Sequence, residues 1–378
     1  MIIRKISLSD FRNYTRSTFT FSSGKNLIVG PNASGKTNLL EAIYLLATGK
    51  SFRVKGVESE TVSYEKEMAR VSGEIIKLSN YPIANYEKGD KESLEIVLTR
   101  GEVSGEKVAK KKYLINGVGK RATDFVGRLR AVYFGPEDLE LVTNSPSLRR
   151  RYLDAVLVQI DREYARASLS YEKGLRARNK ILEDIKEWQG NKSFSEETFR
   201  KRLYFWDQLL IRNGNIVTRK REEFLEFLNQ NKRFGEIGGF AVEYDRSTIS
   251  PERLAQYRKE EMASGMTLVG PHRDDFAIRV KELESERAGE YRNLSVFGSR
   301  GEQRLAILWM KLGELAFIMQ KTNDQPVLLL DDIFSELDTE HRELVFGLIG
   351  EQQTIVTTAD IGTVEKEWLE GVRLIQLD

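Results

Sequence analysis

The sequence of 378 residues contains no cysteine, and this absence excludes disulfide bonds and thiolate metal sites. Histidine is nearly absent as well: His272 and His341 stand far apart in the chain, so they do not predict a histidine-based zinc site. No apolar run approaches the roughly 20 residues that cross a bilayer. Residues 1–6 alternate like a strand and do not form the apolar core of a signal peptide. We therefore expect a soluble, cytoplasmic protein with no membrane partner.

An excess of charge of one sign is also missing. The formal net charge is only +2, although 31% of the residues are charged, so the chain has no overall basic signature of a nucleic-acid-binding protein. Any DNA-binding surface must therefore be a local patch. The two densest basic clusters are Lys110, Lys111 and Lys112, and Arg149, Arg150 and Arg151. Each triplet is either a contact for DNA phosphates or a solvated face.

A glycine-containing loop lies between an apolar run typical of a strand and an apolar pattern typical of a helix. The predicted nucleotide-binding residues of this segment are Gly30, Pro31, Asn32, Ala33, Ser34, Gly35, Lys36, Thr37 and Asn38. In such a loop the backbone N–H groups and the N-terminus of the following helix converge on an anion. Lys36 would neutralise the outer phosphates, and the Thr37 hydroxyl would bind Mg²⁺.

A short apolar strand is predicted at residues 326–330, and it ends in Asp331 and Asp332. A buried parallel strand delivers such groups to the sheet edge where ligands bind. We expect Asp331 to hold the hydration shell of Mg²⁺ and Asp332 to be the catalytic residue that orients or deprotonates the attacking water. The alternative is an ordinary buried strand followed by a helix N-cap. Two acids are costly to bury without a cation or hydrogen-bond donors, which favours the metal site.

A second candidate anion site precedes another helical pattern, at Ser299, Arg300, Gly301 and Glu302. The chain resembles the ATP-binding-cassette (ABC) ATPase heads in the order of four elements. These are the phosphate loop, the serine-glycine start of a helix, the strand that ends in two acids, and residues 335–338. This resemblance implies that two ATP molecules are sandwiched in a head-to-tail homodimer. Residues 299–302 would then act as a signature motif in trans on the γ-phosphate bound by the other subunit, and Asp338 would belong to the D-loop.

Both ends of the sequence contribute to this head. The predicted fold class is α/β: a split P-loop ABC-type ATPase head with mixed sheets and flanking helices, and an inserted helical-hairpin lobe. We place the N-terminal part of the head at residues 1–138, the helical lobe at 139–262 and the C-terminal part of the head at 263–378. Apolar periodicity predicts helical stretches at about 147–188 and 196–231. A short strand is predicted at 267–269.

The short helical insertion distinguishes this chain from ATPases with hundreds of heptad-patterned residues. The chain resembles the RecF family of bacterial recombination and repair proteins in stretches at 6–14, 49–53, 136–139, 270–275 and 330–338. The resemblance implies a protein that binds ATP with Mg²⁺, dimerises, and holds double-stranded DNA beside a single-stranded gap. It further implies cooperation with the RecO and RecR mediators in loading a recombinase, with slow hydrolysis.

Two departures from transporter-type ABC heads accompany this resemblance. Those heads carry a switch histidine where this chain has Thr357, Thr358, Ala359 and Asp360, and a glutamine loop where it has residues 133–138. Both departures disfavour the alternative function, an ATP-binding subunit of a membrane transporter. Glu137 either takes over coordination of Mg²⁺ or water, or is a carboxylate near a helix N-terminus. A P-loop kinase or nuclease lacks support, because no separate acceptor or metal-carboxylate cluster is present.

Two further sets of residues have alternative roles. Arg12 and Asn13 either touch the nucleotide, as the equivalent stretch does in related heads, or belong to a solvated turn. The segment from His272 to Asp275 either relays the state of the dimer or forms a satisfied buried polar cluster.

Overall fold

The structure, a computed structural model, describes residues 1–54, 56, 58–77, 89–188, 196–231, 239–281, 291–333, 342, 352–364 and 368–378. The strands in these ranges are β1 (Ile2–Phe11), β2 (Tyr14–Thr20), β3 (Lys25–Val29), β4 (Met68–Lys77), β5 (Asp90–Thr99), β6 (Glu102–Val103), β7 (Glu106–Lys107), β8 (Lys111–Ile115), β9 (Val118–Lys120), β10 (Ala131–Phe134), β11 (Phe240–Asp245), β12 (Asp275–Lys281), β13 (Tyr291–Asn293), β14 (Val327–Asp331), β15 (Thr354–Thr358) and β16 (Arg373–Gln376). The α-helices are α1 (Lys36–Thr48), α2 (Ala122–Phe125), α3 (Glu140–Thr143), α4 (Pro146–Val158), α5 (Arg162–Trp188), α6 (Glu196–Gln230), α7 (Pro251–Gln256), α8 (Arg258–Ser264), α9 (Leu294–Phe297) and α10 (Arg300–Thr322). Among these helices none is long and apolar enough to span a bilayer.

The chain divides into two compact units. Unit 1 comprises Met1–Leu139 and Ile307–Asp378, and unit 2 comprises Glu140–Ala306. Residues 263–306, which the sequence analysis assigns to the C-terminal part of the head, therefore belong to unit 2. The reason is strand pairing, because β12 pairs with β11 and β13 pairs with β12 in one antiparallel sheet.

Unit 1 contains two large sheets with different kinds of pairing. One is parallel, in the order β10-β14-β15-β3-β16, and the other is antiparallel, in the order β2-β1-β4-β5-β8-β9. Helix α1 contacts strands of both sheets and joins them in one hydrophobic cluster. All five residues of β14 and all five of β15 are buried, as expected for parallel strands covered on both faces. The expected mixture of pairings thus occurs as two separate sheets.

Unit 2 is built on the pair α5 and α6. Arg178 binds Asp207, and Arg221 binds the hydroxyl of Tyr164; since residue numbers rise on one helix as they fall on the other, the two helices are antiparallel. The helical stretch predicted at 147–188 consists of two helices, because α4 ends at Val158 and α5 starts at Arg162. The break has a local cause: the Asp161 carboxylate accepts a hydrogen bond of 2.9 Å from the N–H of Tyr164 and so caps α5.

The strand predicted at 267–269 is wrong. In the structure the backbone donors of this segment are taken by side chains instead of a neighbouring strand. The N–H of Thr267 donates to Asn179 Oδ1 at 2.9 Å, and the N–H of Leu268 donates to Glu261 Oε1 at 2.9 Å. Side-chain acceptors contributed by α5 and α8 thus replace a β-ladder.

Asp274 and His272, within the segment from His272 to Asp275, belong to a polar cluster of unit 2, whereas Arg273 is exposed. His272 pairs with the hydroxyl of Tyr171 at 2.8 Å, and burial lowers its pKa to about 4, so its ring is neutral at pH 7. Asp274 is fully buried and accepts hydrogen bonds from Arg221 at 3.0 Å and from the N–H of Ser247 at 2.8 Å. These contacts favour the structural interpretation of this segment over a relay.

Candidate nucleotide-binding site

The register of the parallel sheet brings the predicted loop and the predicted acids to one edge. Asp331 is paired with Thr357, and Thr358 is paired with Val29, the last residue of β3. Neighbouring strands are about 4.8 Å apart, so the end of β14 lies about 10 Å from the end of β3. The phosphate loop follows β3 directly, and it therefore shares the carboxyl edge of the sheet with Asp331 and Asp332.

The loop is closed around the ammonium group of Lys36. Lys36 Nζ donates to the carbonyl oxygens of Gly30 at 2.6 Å and Pro31 at 2.9 Å. Pro31 and the two residues after it are exposed, whereas the Ser34 hydroxyl is buried and has no hydrogen-bond partner in the described part of the chain. A cation, an unused hydroxyl and the start of α1 therefore converge on one open loop, which is the arrangement that binds phosphates.

Gly35 is required by both conformation and space. Its φ of 105° is a backbone angle that side-chain-bearing residues rarely adopt. A Cβ at this position would lie 2.8 Å from both Asn13 Nδ2 and the Tyr14 hydroxyl. That hydroxyl donates to the Gly35 carbonyl at 3.1 Å, so β1 and β2 support the loop from behind.

Asn13 and Asn38, both predicted to bind nucleotide, form part of this support. Asn13 Nδ2 donates to the Ser34 carbonyl at 3.3 Å, and Asn38 Nδ2 donates to Asn13 Oδ1 at 2.8 Å. Arg53 extends the chain of hydrogen bonds by donating to Asn38 Oδ1 at 2.8 Å. The amides therefore hold the loop, and their contact with a nucleotide stays a prediction.

Arg12 has a partner within the protein. Its guanidinium binds both carboxylate oxygens of Glu41, at 2.9 and 2.7 Å. Glu41 lies on α1 and is fully buried, so this bidentate pair satisfies a charge that would otherwise be costly to bury. Arg12 thus anchors the helix that follows the phosphate loop, and its predicted contact with nucleotide stays untested.

The two acids at the end of β14 are oriented by Thr357. The Thr357 hydroxyl donates to Asp331 Oδ1 at 2.6 Å and accepts from the N–H of Asp332 at 3.1 Å. Asp331 is only 4% exposed. Asp332 has a φ of 48°, a left-handed conformation that Asp tolerates better than most residues. The sequence analysis considered Thr357 only as part of a stretch that lacks a histidine, and it missed this role. The role could have been inferred if β15 had been placed next to β14 in the sheet.

Tyr133 is a second residue whose contact with these acids was missed. Its hydroxyl lies 3.2 Å from Asp331 Oδ2 and 2.8 Å from Glu137 Oε2, and its ring stacks on Phe52 with centroids 3.7 Å apart. Burial raises the pKa of Tyr133, and the charges of Asp331 and Glu137 raise it further, so the hydroxyl keeps its proton. Burial also raises the pKa of Glu137. Because Glu137 and Asp331 both contact the Tyr133 hydroxyl, Glu137 lies at the acidic edge of the site.

The predicted signature motif lies in unit 2 and begins α10. The Ser299 hydroxyl accepts from the N–H of Glu302 at 3.2 Å, and the Glu302 carboxylate accepts from the N–H of Ser299 at 2.8 Å. This reciprocal pair is a capping box. Burial acts to raise the pKa of Glu302, but hydrogen bonds from Ser299 and the charge of Arg292 outweigh it and lower the pKa. The N–H groups of Arg300 and Gly301, in the first turn, have no intrahelical acceptor, and the predicted action of the motif in trans stays a prediction. Asp338 lies outside the described residues.

The two basic triplets differ in their surroundings. Arg149 is bound to both oxygens of Asp275, at 2.6 and 2.9 Å, and Arg150 donates to the carbonyl of Asp274 at 2.7 Å. These arginines are held by unit 2, and Arg151 is half-buried. Lys111 is likewise bound to the Gly49 carbonyl and Glu58, whereas Lys110 and Lys112 are exposed. The structure thus gives Arg149 and Arg150 partners within unit 2, and the predicted DNA contacts of both triplets stay predictions.

A phosphate loop, two acids at the same edge of its parallel sheet and a serine-capped helix define a P-loop ATPase head of the ABC type. The RecF/RecN/SMC N-terminal domain model matches residues 2–375. The DNA replication and repair protein RecF of Herpetosiphon aurantiacus is 36% identical over 100% of this chain and 98% of that protein. RecF of Gloeobacter violaceus is 33% identical over 100% of this chain and 97% of that protein. The chain belongs to the RecF family.

Solved structures of the recombination mediator protein RecF in the RecFOR pathway have the same fold. The RecF-ATP structure has a TM-score of 0.79 at 30% identity and covers 96% of this chain and 93% of that one. The RecF-ATPrS structure has a TM-score of 0.78 at 31% identity, with 96% and 94% covered. These relatives support the predicted fold class and give the transporter hypothesis no support.

Proposed function

We propose that this chain is an ATP-dependent DNA-binding repair protein that uses slow ATP hydrolysis as a switch. The observation that carries the proposal is the edge of the parallel sheet, where the loop around Lys36 lies beside Asp331 and Asp332. The full-length similarity to RecF proteins of DNA replication and repair, including RecF-ATP, supports it.

The residues at this edge fit Mg²⁺ bound together with nucleotide phosphates. Mg²⁺ prefers oxygen ligands and is usually held by one or two carboxylates plus substrate phosphates. Asp331, oriented by two hydroxyl groups, would hold the hydration shell, and Thr37 at the first turn of α1 would bind the ion directly. The bound ion would neutralise charge that develops on the phosphates. Lys36 would exchange its loop carbonyls for phosphate oxygens, and Asp332 would orient the attacking water.

The capped start of α10 supports action in trans on a second subunit. Within the described residues, a Cβ placed on Gly301 would meet no atom closer than 4.0 Å, so no described neighbour in its own chain requires a glycine there. Val296 and Phe297, just before the motif, are 68% and 67% exposed. An apolar surface beside free helix N–H groups suits a homodimer interface that closes over ATP.

Slow hydrolysis is supported by the lack of a histidine at residues 357–360. Transporter heads carry an imidazole after this strand, which exchanges a proton near neutral pH, whereas the side chains at residues 357–360 offer no such group. A site that binds ATP well and turns it over slowly suits a switch. In the cell, we propose, the ATP-bound homodimer holds double-stranded DNA beside a single-stranded gap and cooperates with RecO and RecR in loading a recombinase.

Lys36→Met tests the proposal. The variant should lower ATP affinity by about 100-fold, because the loop loses its cation and its phosphate donors. ATP-dependent dimerisation and DNA retention should be lost with it. Lys25→Met is the matched control, because Lys25 begins the same strand at the opposite edge of the sheet and should change affinity little. Calorimetry that finds parental ATP affinity in Lys36→Met would overturn the assignment of the loop.

A further inference from the structure

Beyond the nucleotide site, unit 1 carries an open basic cleft at the hairpin formed by β8 and β9. The cleft has a volume of about 460 Å³, and its lining residues are Lys111, Lys112, Tyr113, Gly119, Lys120, Arg121 and Asp124. Four of these seven residues are cationic and one is acidic. In a chain whose net charge is only +2, this is a strong local excess of positive charge.

Three of the cations have no internal role. The side chains of Lys112, Lys120 and Arg121 are exposed, and within the described ranges none of the three makes an ion pair or hydrogen bond. Lys111 contrasts with them, because it is tied to Glu58 and to the Gly49 carbonyl, and burial lowers its pKa. The fold therefore leaves a defined trio of cations available for an external anion.

The hairpin holds these cations on a rigid frame. Asn116 and Gly117 form a two-residue turn with φ of 50° and 76°, as a type I′ hairpin requires. The Asn116 side chain and backbone both bind the backbone of Ser93 at 2.8 Å, which ties the turn to β5. A preorganised frame lowers the entropic cost of binding.

The trio flanks the edge of the sheet from both faces. Lys120 is paired with Tyr113, and Gly119 with Leu114; because residues alternate between faces, Lys112 lies on the face of Gly119 and opposite to that of Lys120. A Cβ on Gly119 would lie 3.9 Å from Lys112 Cε and meet no closer neighbour. The missing side chain of Gly119 thus leaves open space beside Lys112 at this edge of the sheet.

The cleft is separate from the nucleotide site. Lys111 binds the carbonyl of Gly49, the C-cap of α1, whereas the phosphate loop precedes the other end of that helix. A helix of 13 residues is about 20 Å long, so a nucleotide on the loop does not reach the hairpin. A ligand of this basic cleft is therefore distinct from the nucleotide.

We propose that this hairpin cleft binds the phosphate backbone of double-stranded DNA through Lys112, Lys120 and Arg121. The inference rests on the proposed DNA-binding function and gives it a location. It moves the expected DNA contacts away from Arg149, Arg150 and Lys111, whose side chains have partners within their own units. Two of the proposed contacts, Lys120 and Arg121, lie outside the lysine triplet at residues 110–112.

The test measures binding to a short blunt DNA duplex, with ATP present, over a range of salt concentrations. The hairpin variant carries Lys112→Gln, Lys120→Gln and Arg121→Gln. Each phosphate contact contributes about 0.9 to the slope of log affinity against log salt for duplex DNA, so the slope should fall by about 2.7. Between about 50 and 200 mM salt the parent's loss of affinity should then exceed the variant's by about 40-fold. ATP affinity and melting temperature should stay parental.

A matched control neutralises three exposed cations of unit 2, Lys173, Arg176 and Lys259, and should keep the parental slope. Parental slope and affinity in the hairpin variant would overturn the cleft and leave the proposed function intact. Equal losses in both variants would also overturn it, because they would report overall charge. A parent that binds no DNA with ATP would refute the proposed function, and the cleft with it.

Discussion

Replacement of Thr357 by valine tests whether this threonine organises the acidic edge. Thr357 is fully buried, and its hydroxyl both donates to Asp331 at 2.6 Å and accepts from the N–H of Asp332 at 3.1 Å. Valine keeps the shape and the β-branch but removes both hydrogen bonds. Asp331 would keep only the longer contact to Tyr133, at 3.2 Å, and its carboxylate would be free to turn.

The size of the effect follows from the charge of the acceptor. A hydrogen bond to a charged group contributes about 1.5–3 kcal/mol, against about 0.5–1.5 kcal/mol for a neutral pair. For a unit of this size each kcal/mol lowers the melting temperature by about 2–4 °C, so loss of the hydrogen bond to Asp331 in Thr357→Val should lower it by about 3–12 °C. If the same free energy orients Asp331 in the transition state, hydrolysis should fall by about 10- to 100-fold.

The neighbouring Thr358→Val is the control. Thr358 is also buried, but its hydroxyl is hydrogen-bonded to the neutral backbone of Asp360, at 3.0 and 3.2 Å. It should cost about half as much stability and leave hydrolysis near the parental rate. Thr357→Ser, which retains the hydroxyl, should recover most of the activity. Thermal melts and single-turnover hydrolysis measure both effects, and equal hydrolysis in the two valine variants would refute the proposed role of Thr357.

Two further substitutions separate the steps of the proposed cycle. Asp332→Asn should bind ATP but stall turnover and give a persistent dimer in gel filtration, because Asn accepts the left-handed backbone but is a poor base; hydrolysis at the parental rate would move the role to Glu137. Ser299→Arg should bind ATP as a monomer yet fail to dimerise, hydrolyse ATP or retain DNA, because only the motif offered to the partner is blocked. Mixing it with Lys36→Met should recover part of the activity through one intact composite site, and normal dimerisation of Ser299→Arg alone would rule out the arrangement in trans.

Much of the fold was predictable because its elements have strong local signals. The apolar pattern of residues 326–330 and the glycine spacing of the phosphate loop identify β14 and the start of α1 without tertiary information. The failures occur where a single side chain overrides the pattern. Asp161 caps α5 and interrupts an apolar periodicity that continues on both sides. Asn179 accepts a hydrogen bond from the backbone N–H of Thr267, in a segment whose sequence pattern predicts a strand. Neither pairing is visible in a hydrophobicity pattern.

The candidate site was predictable to the same extent. Residues that carry the motif chemistry, such as Lys36 and Asp331, lie where the sequence places them, at one sheet edge. Partners that are distant in sequence were not predictable. Arg149 and its partner Asp275 are 126 positions apart, and Arg12 and its partner Glu41 are 29 positions apart. A run of arginines has the same local appearance whether it faces solvent or a buried carboxylate, and only the fold distinguishes the two.

Thr357 shows how one register position links these observations. In the parallel sheet, the residue paired with Asp331 lies close enough to touch both acids of β14. In the proposed function the Thr357 hydroxyl would hold Asp331 in place for Mg²⁺. A threonine does not exchange protons near neutral pH as an imidazole does, and residues 357–360 contain no histidine. The proposed site would therefore bind ATP and hydrolyse it slowly, which is the combination that the proposed ATP-dependent switch on DNA requires.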